Sequence, residues 1–162
     1  MKRILMTALA MVALASPALA ADVTASDFVA KASESGMAEV QLGQLAVNKA
    51  ESADVRAFGQ RMVTDHGKAN TELATLASRK GLTVSKELNA KHKKAVQDLG
   101  AKSGEEFDKA FAQQMVTDHS EAVALFTAAS KLDDRDLAGF ATRTLPVLQD
   151  HHEKSRQLAG SH

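Results

Sequence analysis

Three of the six histidines in this chain directly follow an aspartate: Asp65-His66, Asp118-His119 and Asp150-His151. Imidazole nitrogens bind transition metals, and a nearby carboxylate can fix which ring nitrogen keeps its proton. Two of the pairs close a repeated pentapeptide, Met62-Val-Thr-Asp-His66 and Met115-Val-Thr-Asp-His119. The repeat is wider than that. Ala57, Phe58, Gln60 and Ala69 also recur 53 positions later, giving nine identities between residues 56–70 and 109–123. Each copy lies in a run whose apolar residues step by three or four: Val55, Phe58, Met62, His66, Ala69, Leu73 in one, Phe111, Met115, His119, Ala122, Phe126 in the other. On such a helical stripe each histidine takes a place where a core-facing apolar residue belongs. A third stripe, Leu137, Ala141, Thr144, Leu148, His151, Ser155, Leu158, does the same for His151.

A carboxylate completes the candidate set. The face Ala32, Gly36, Glu39, Gly43, Ala46 is built of small residues, so a neighbouring helix can approach it closely and Glu39 is drawn inward. Depth supports a shared site. For a hairpin turning near residue 52, Glu39 and His66 each lie about 13–14 residues from the turn. For a second hairpin turning near 133, His119 lies about 14 residues away and His151 about 18, an offset of about 6 Å. The expectation is one transition-metal ion (Zn, Cu, Fe or Ni) held by Glu39, His66, His119 and His151. Participation of Met62 or Met115 would favour copper, although both read first as core fillers. Adjacent helical residues diverge by about 100°, so Asp65, Asp118 and Asp150 are expected to reach side chains on the next helix. The competing reading is a structural or interaction module of the cell envelope, metal-free, with its histidines packed in the core.

The elements that must position these groups are long helices. The first is expected over Ser26 to Ala50, capped by Thr24, and the second from Ser52 as cap to Gly81 as terminator. Residues 82–103 form a connector in which Ser85 is expected to cap a short helix from Lys86 to Leu99. His92, among lysines there, reads as solvated. Ser103-Gly-Glu-Glu106 has the form of a capping box opening the third long helix, which runs to about Lys131. The fourth, with Asp133 as cap, runs to Ala159 and contains Pro146, which frees the carbonyl of Thr142. The fold class is therefore all-α: a four-helix bundle with a short connecting helix between the second and third long helices. A half-helical connector of this length spans about 50 Å against about 40 Å for a 27-residue helix. Both a long crossover and an up-down-up-down order are open to it.

Composition narrows the function. Lys2 and Arg3, an apolar stretch from Ile4 to Ala15 and the small-residue site Ala18-Leu19-Ala20 read as a signal peptide, residues 1–20, cleaved after Ala20. The apolar stretch is too short to span a bilayer. The remainder, 21–162, is expected to be one periplasmic or secreted domain with its core over about 26–159, and with no integral membrane segment. Without Lys2 and Arg3, 18 basic residues face 20 acidic ones, a net charge of −2. That balance, with no Trp and no Tyr, argues against nucleic-acid partners. The chain has no cysteine, so neither disulfides nor a lipid-modified cysteine anchor it. Nothing pairs a nucleophile with a base, and the sequence leaves a protein partner or homo-oligomer undetermined.

Four motifs in order, GMAEVQLGQLA (36–46), AFGQRMVTDH (57–66), MVTDHSEAVALF (115–126) and TLPVLQDHHEK (144–154), resemble the bacterial domain-of-unknown-function family 4142. The resemblance covers about Asp27 to Leu158. It implies a ferritin-like bundle in the periplasm, with no established activity, from a family whose members are often labelled exported or outer-membrane proteins. Stress protection or metal sequestration would suit such a protein. Glu39, His66, His119 and His151 match the family's motif carboxylate and histidines, whereas His152 stands where an apolar residue is usual. Di-iron bundles carry Glu-x-x-His on two helices. Here the residues three before the histidines are Val63, Val116 and Leu148, which argues against ferroxidase or oxygenase chemistry.

Overall fold

A computed structural model describes residues 23–161; the expected signal peptide lies outside them. Five helices and no strand occur among the described residues: α1 (Ala25–Lys49), α2 (Ala53–Arg79), α3 (Ala90–Gly100), α4 (Gly104–Ala129) and α5 (Arg135–Ala159). None is long and apolar enough to cross a membrane. Thr24 and Ser52 cap α1 and α2 as expected, each side chain accepting from a backbone N–H three residues on. Gly81 ends α2 in the left-handed region, φ 66°, where a Cβ would be strained.

Three local expectations are corrected. The short helix begins at Ala90, with Asn89 rather than Ser85 as its cap. Ser85 is occupied elsewhere: its N–H donates to Ser33 Oγ at 2.8 Å and its hydroxyl to the Ala30 carbonyl at 3.0 Å. Those bonds lay the connector along α1. Ser103 makes no side-chain cap bond, and Glu106, the expected reciprocal partner, pairs with Lys102. The cap of α5 is Asp134, the residue after the expected Asp133, accepting from Asp136 and Leu137 at 3.1 Å.

The long helices pair as α1 with α2 and α4 with α5. At one end, the N–H groups of Glu51 and Ser52 donate to the Asp108 carboxylate at 3.2 and 2.7 Å. At the other, Lys80 pairs with Asp134 and Asp136, both at 2.8 Å. Helix α4 therefore starts at the end where α2 starts, so the two run parallel and the connector crosses the length of the bundle. This is the arrangement with one long crossover.

Close approach begins with glycine. A Cβ on Gly43 would stand 2.6 Å from the Gly59 carbonyl oxygen, and one on Gly59 2.6 Å from the Ala46 Cβ. Backbone therefore packs on backbone between α1 and α2. The core divides into two apolar clusters. One is built around Leu42, Phe58, Met62, Phe107, Phe111 and Met115, and the other around Phe28, Leu73, Phe126, Leu137, Phe140 and Leu148. Between them lies a polar layer. Pro146 sits on the exposed side of α5 beside an exposed Thr142, so the freed carbonyl faces water and α5 continues through it.

Candidate metal centre

The three stripes deliver their histidines to one level. Helices α2, α4 and α5 bring in His66, His119 and His151, whose ring centroids lie 5.3–5.5 Å apart in all three pairs. All three residues are buried, and one ring nitrogen from each lies within 4.8 Å of the others. The separation of His119 and His151 expected from residue counting is thus closed by the packing of α4 on α5. Phe58 packs beside the trio, 6.5 Å from the His119 ring and 6.0 Å from that of His151.

Hydrogen bonds fix which nitrogens face inward. His119 Nδ1 lies 2.9 Å from the Met115 carbonyl; an N–H must donate there, so Nε2 keeps its lone pair. His66 Nε2 faces that lone pair at 3.4 Å. His151 Nε2 donates to Asp65 Oδ2 at 2.9 Å, and its Nδ1 is buried with no hydrogen-bond partner. A buried, unpaired imidazole nitrogen is costly unless something accepts its lone pair.

Electrostatics keep the rings neutral. Burial pushes His66 well below the ordinary histidine range, and His119 and His151 add to the effect. Burial likewise carries His119 down to about 3, and lowers His151 against the opposing effect of its hydrogen bond to Asp65. Three lone-pair donors at neutral pH are what a metal ion requires.

Glu39 is buried and lines, with His66 and His119, a cavity of about 30 Å³. That is room for about one water-sized species. Its carboxyl is held well above the ordinary range by burial and then by the charge of Asp118, and Oε2 has no partner. The structure brings Glu39 to the cavity but not into the three-nitrogen cluster. Asp65 and Asp150 reach across helices as expected, whereas Asp118 is hydrogen-bonded within its own helix. Asp65 on α2 accepts from His151 on α5, while Arg61 bridges Asp65 at 3.3 Å and Asp150 at 2.6 Å. Asp118 accepts from Gln114 at 2.8 Å. Met62 and Met115 are fully buried in the apolar cluster on one side of the layer. His152 is only partly buried and stands outside the trio.

His92, read from the sequence as solvated, is buried at 6% exposure. Its Nδ1 lies 2.6 Å from Glu34 Oε1, and Glu34 also accepts from Asn89. The lysines around it point outward while the ring faces α1. The available signal was Asn89, a cap as good as Ser85 and the one that makes His92 the third residue of the helix.

The fold has solved relatives. It matches the crystal structure of the DUF305 fragment from Deinococcus radiodurans with a TM-score of 0.75 and 13% identity, over 85% of this chain and 95% of that one. It matches CopM in its Cu(II)-bound form with a TM-score of 0.71 and 14% identity, over 84% and 95%. At such identities the likeness is one of fold. No curated protein matches the sequence. Residues 10–158 match the family described as Domain of unknown function (DUF4142), and the chain belongs to that family.

Proposed function

We propose that this protein holds one transition-metal ion at the centre of the bundle, as a metal-binding protein of the cell envelope rather than an enzyme. The observation that carries the reading is the trio itself: three buried, neutral imidazoles from three helices, each presenting a nitrogen to the same small volume. His119 Nε2 and His151 Nδ1 are oriented by the Met115 carbonyl and by Asp65, and His66 Nε2 joins them once its proton moves to Nδ1. Nitrogen donors of this kind suit Zn, Cu, Ni or Fe. Cu(II) in the structurally similar CopM makes copper the first ion to try. Glu39 adds a carboxyl beside the site that can offset the ion's charge. The signal-like residues 1–20 support export to the periplasm, where a sequestering protein would serve in metal stress.

The test is equilibrium dialysis of purified protein against Cu(II) and Zn(II), with elemental analysis and thermal melts, wild type beside His66→Ala. One ion per chain, a higher Tm with the ion and loss of both in His66→Ala are expected. No uptake and an unchanged Tm would sink the proposal. In that case the Nε2–Nε2 contact of His66 with His119 and the Asp65–His151 bond would be core hydrogen bonds of a structural module.

A further inference from the structure

The histidine trio is buried on every side, so an ion needs a way in. A cleft of about 360 Å³ opens between α1, α3 and α4, lined among others by Glu34, Lys91, His92, Asp118 and Glu121. The inner cavity holding Glu39, His66 and His119 shares Ser35, Asp118 and Ala122 with that cleft. Two short side chains and one carboxylate therefore border both the surface opening and the buried layer. Asp118 is the charged one of the three. Its side chain is 3% exposed, and its Oδ1 has no hydrogen-bond partner. The nearest cation, Lys91 Nζ, stands 4.0 Å away, beyond hydrogen-bond reach, and is engaged with Glu121 at 2.6 Å. Farther in, Glu39 Oε2 is also unpartnered. Unpaired oxygens thus mark the way from the cleft to the imidazoles. On the α2–α5 face, by contrast, Asp65 Oδ2 is committed to His151 and Arg61.

Building on the metal reading above, we infer that the α1–α3–α4 cleft is the mouth through which a divalent transition-metal cation reaches the trio, with Asp118 receiving it on the way. Lys91 occupies the mouth as a tethered counter-ion that the incoming cation displaces, and Ala122 sets the width of the neck. Asp118 acts on passage and not on final affinity, so it should alter rates of uptake and release together.

The experiment is stopped-flow uptake of Zn(II) by the ion-free full-length protein, read by competition with a chromophoric zinc indicator. Asp118→Asn is expected to slow uptake at least about tenfold and leave equilibrium affinity within about threefold. Ala122→Leu should slow it similarly, and Lys91→Ala should speed it about threefold. Lys94→Ala, which removes an exposed α3 lysine paired with Asp98, is the matched control and should change nothing. Should Asp118→Asn or Ala122→Leu fail to fold, the surface pair Lys91→Ala and Lys94→Ala still decides. Wild-type rates in the cleft variants, or acceleration by Arg61→Ala instead, would overturn the route while leaving the metal site intact. A wild type that takes up no zinc or copper at equilibrium would overturn the site and the route together.

Discussion

The two copies of Met-Val-Thr-Asp-His carry the same five side chains on parallel helices, yet they end in different surroundings. In the α2 copy, Asp65 crosses to α5 and holds the His151 ring. In the α4 copy, Asp118 turns toward the connector, bonded to Gln114 and with one oxygen unpaired. Six of the fifteen aligned positions differ, and at one of them Gly59 in the first copy corresponds to Ala112 in the second. Gly59 lets α2 press against α1, whereas Ala112 is a fully buried core residue. Identical local sequence thus delivers two histidines in register, and the neighbours of each helix decide what its aspartate does. A duplicated segment can divide labour without changing its chemistry.

The largest expected effect bears on what the copies share, neutral histidines. A group whose folded pKa is depressed stabilises the fold above its unfolded value and loses that contribution as pH falls toward the folded one. For His119, between 6.5 and about 3, the loss by pH 4 is roughly 3 kcal/mol, and His66 adds in the same direction. The Tm of the ion-free protein should fall steeply from pH 7 to 4, with a shallower fall in His66→Gln/His119→Gln. A flat wild-type profile would show that the rings are already protonated or exposed.

Next come the two aspartates, where the copies diverge. Asp65→Asn should weaken metal affinity about 10–100-fold, the usual cost of losing a group that orients a ligand. Asp118→Asn should change it little. Titration with a competing chelator compares them directly, and equal losses would erase the distinction. The third contrast is Gly59 against Ala112. Making the copies alike with Gly59→Ala forces a Cβ into Ala46 and the Gly43 carbonyl, costing about 1–3 kcal/mol. Ala112→Gly should cost about 1 kcal/mol through helix propensity. Urea unfolding of both would blur the contrast if Gly59→Ala were neutral. The smallest effect is at Glu39, whose folded pKa is raised, so its ionisation opposes folding as pH rises. Glu39→Gln should increase the stability of the ion-free protein at pH 7, read as a higher Tm.

The stripes made the fold readable, because burying a helix face demands apolar residues every three or four positions. They made the trio readable too, since a histidine on such a stripe must face the interior. Glu39 was legible only through its small neighbours, Gly36 and Gly43, which admit α2. Its exact station, beside the trio and not within it, depends on side-chain reach that no residue spacing encodes. The burial of His92 escaped because its partner Glu34 is brought in by tertiary packing. At Asp134 the contact with Lys80 is likewise long-range, whereas Ser103 lost its expected box to a local pair, Lys102 with Glu106. The crossover was likewise undecidable from connector length, and it is fixed by contacts at the ends, Asp108 with the first turn and Lys80 with the last.

One consequence of the pairing of helices concerns mechanics. His66 and Glu39 ride on the first hairpin, His119 and His151 on the second, so the ring cluster straddles the seam between two halves that are each tightly packed on their own. A cation seated there would act as a rivet through the boundary along which the halves could slide. Losing it would loosen the whole molecule at once, coupling the supply of metal outside to the rigidity of the entire chain.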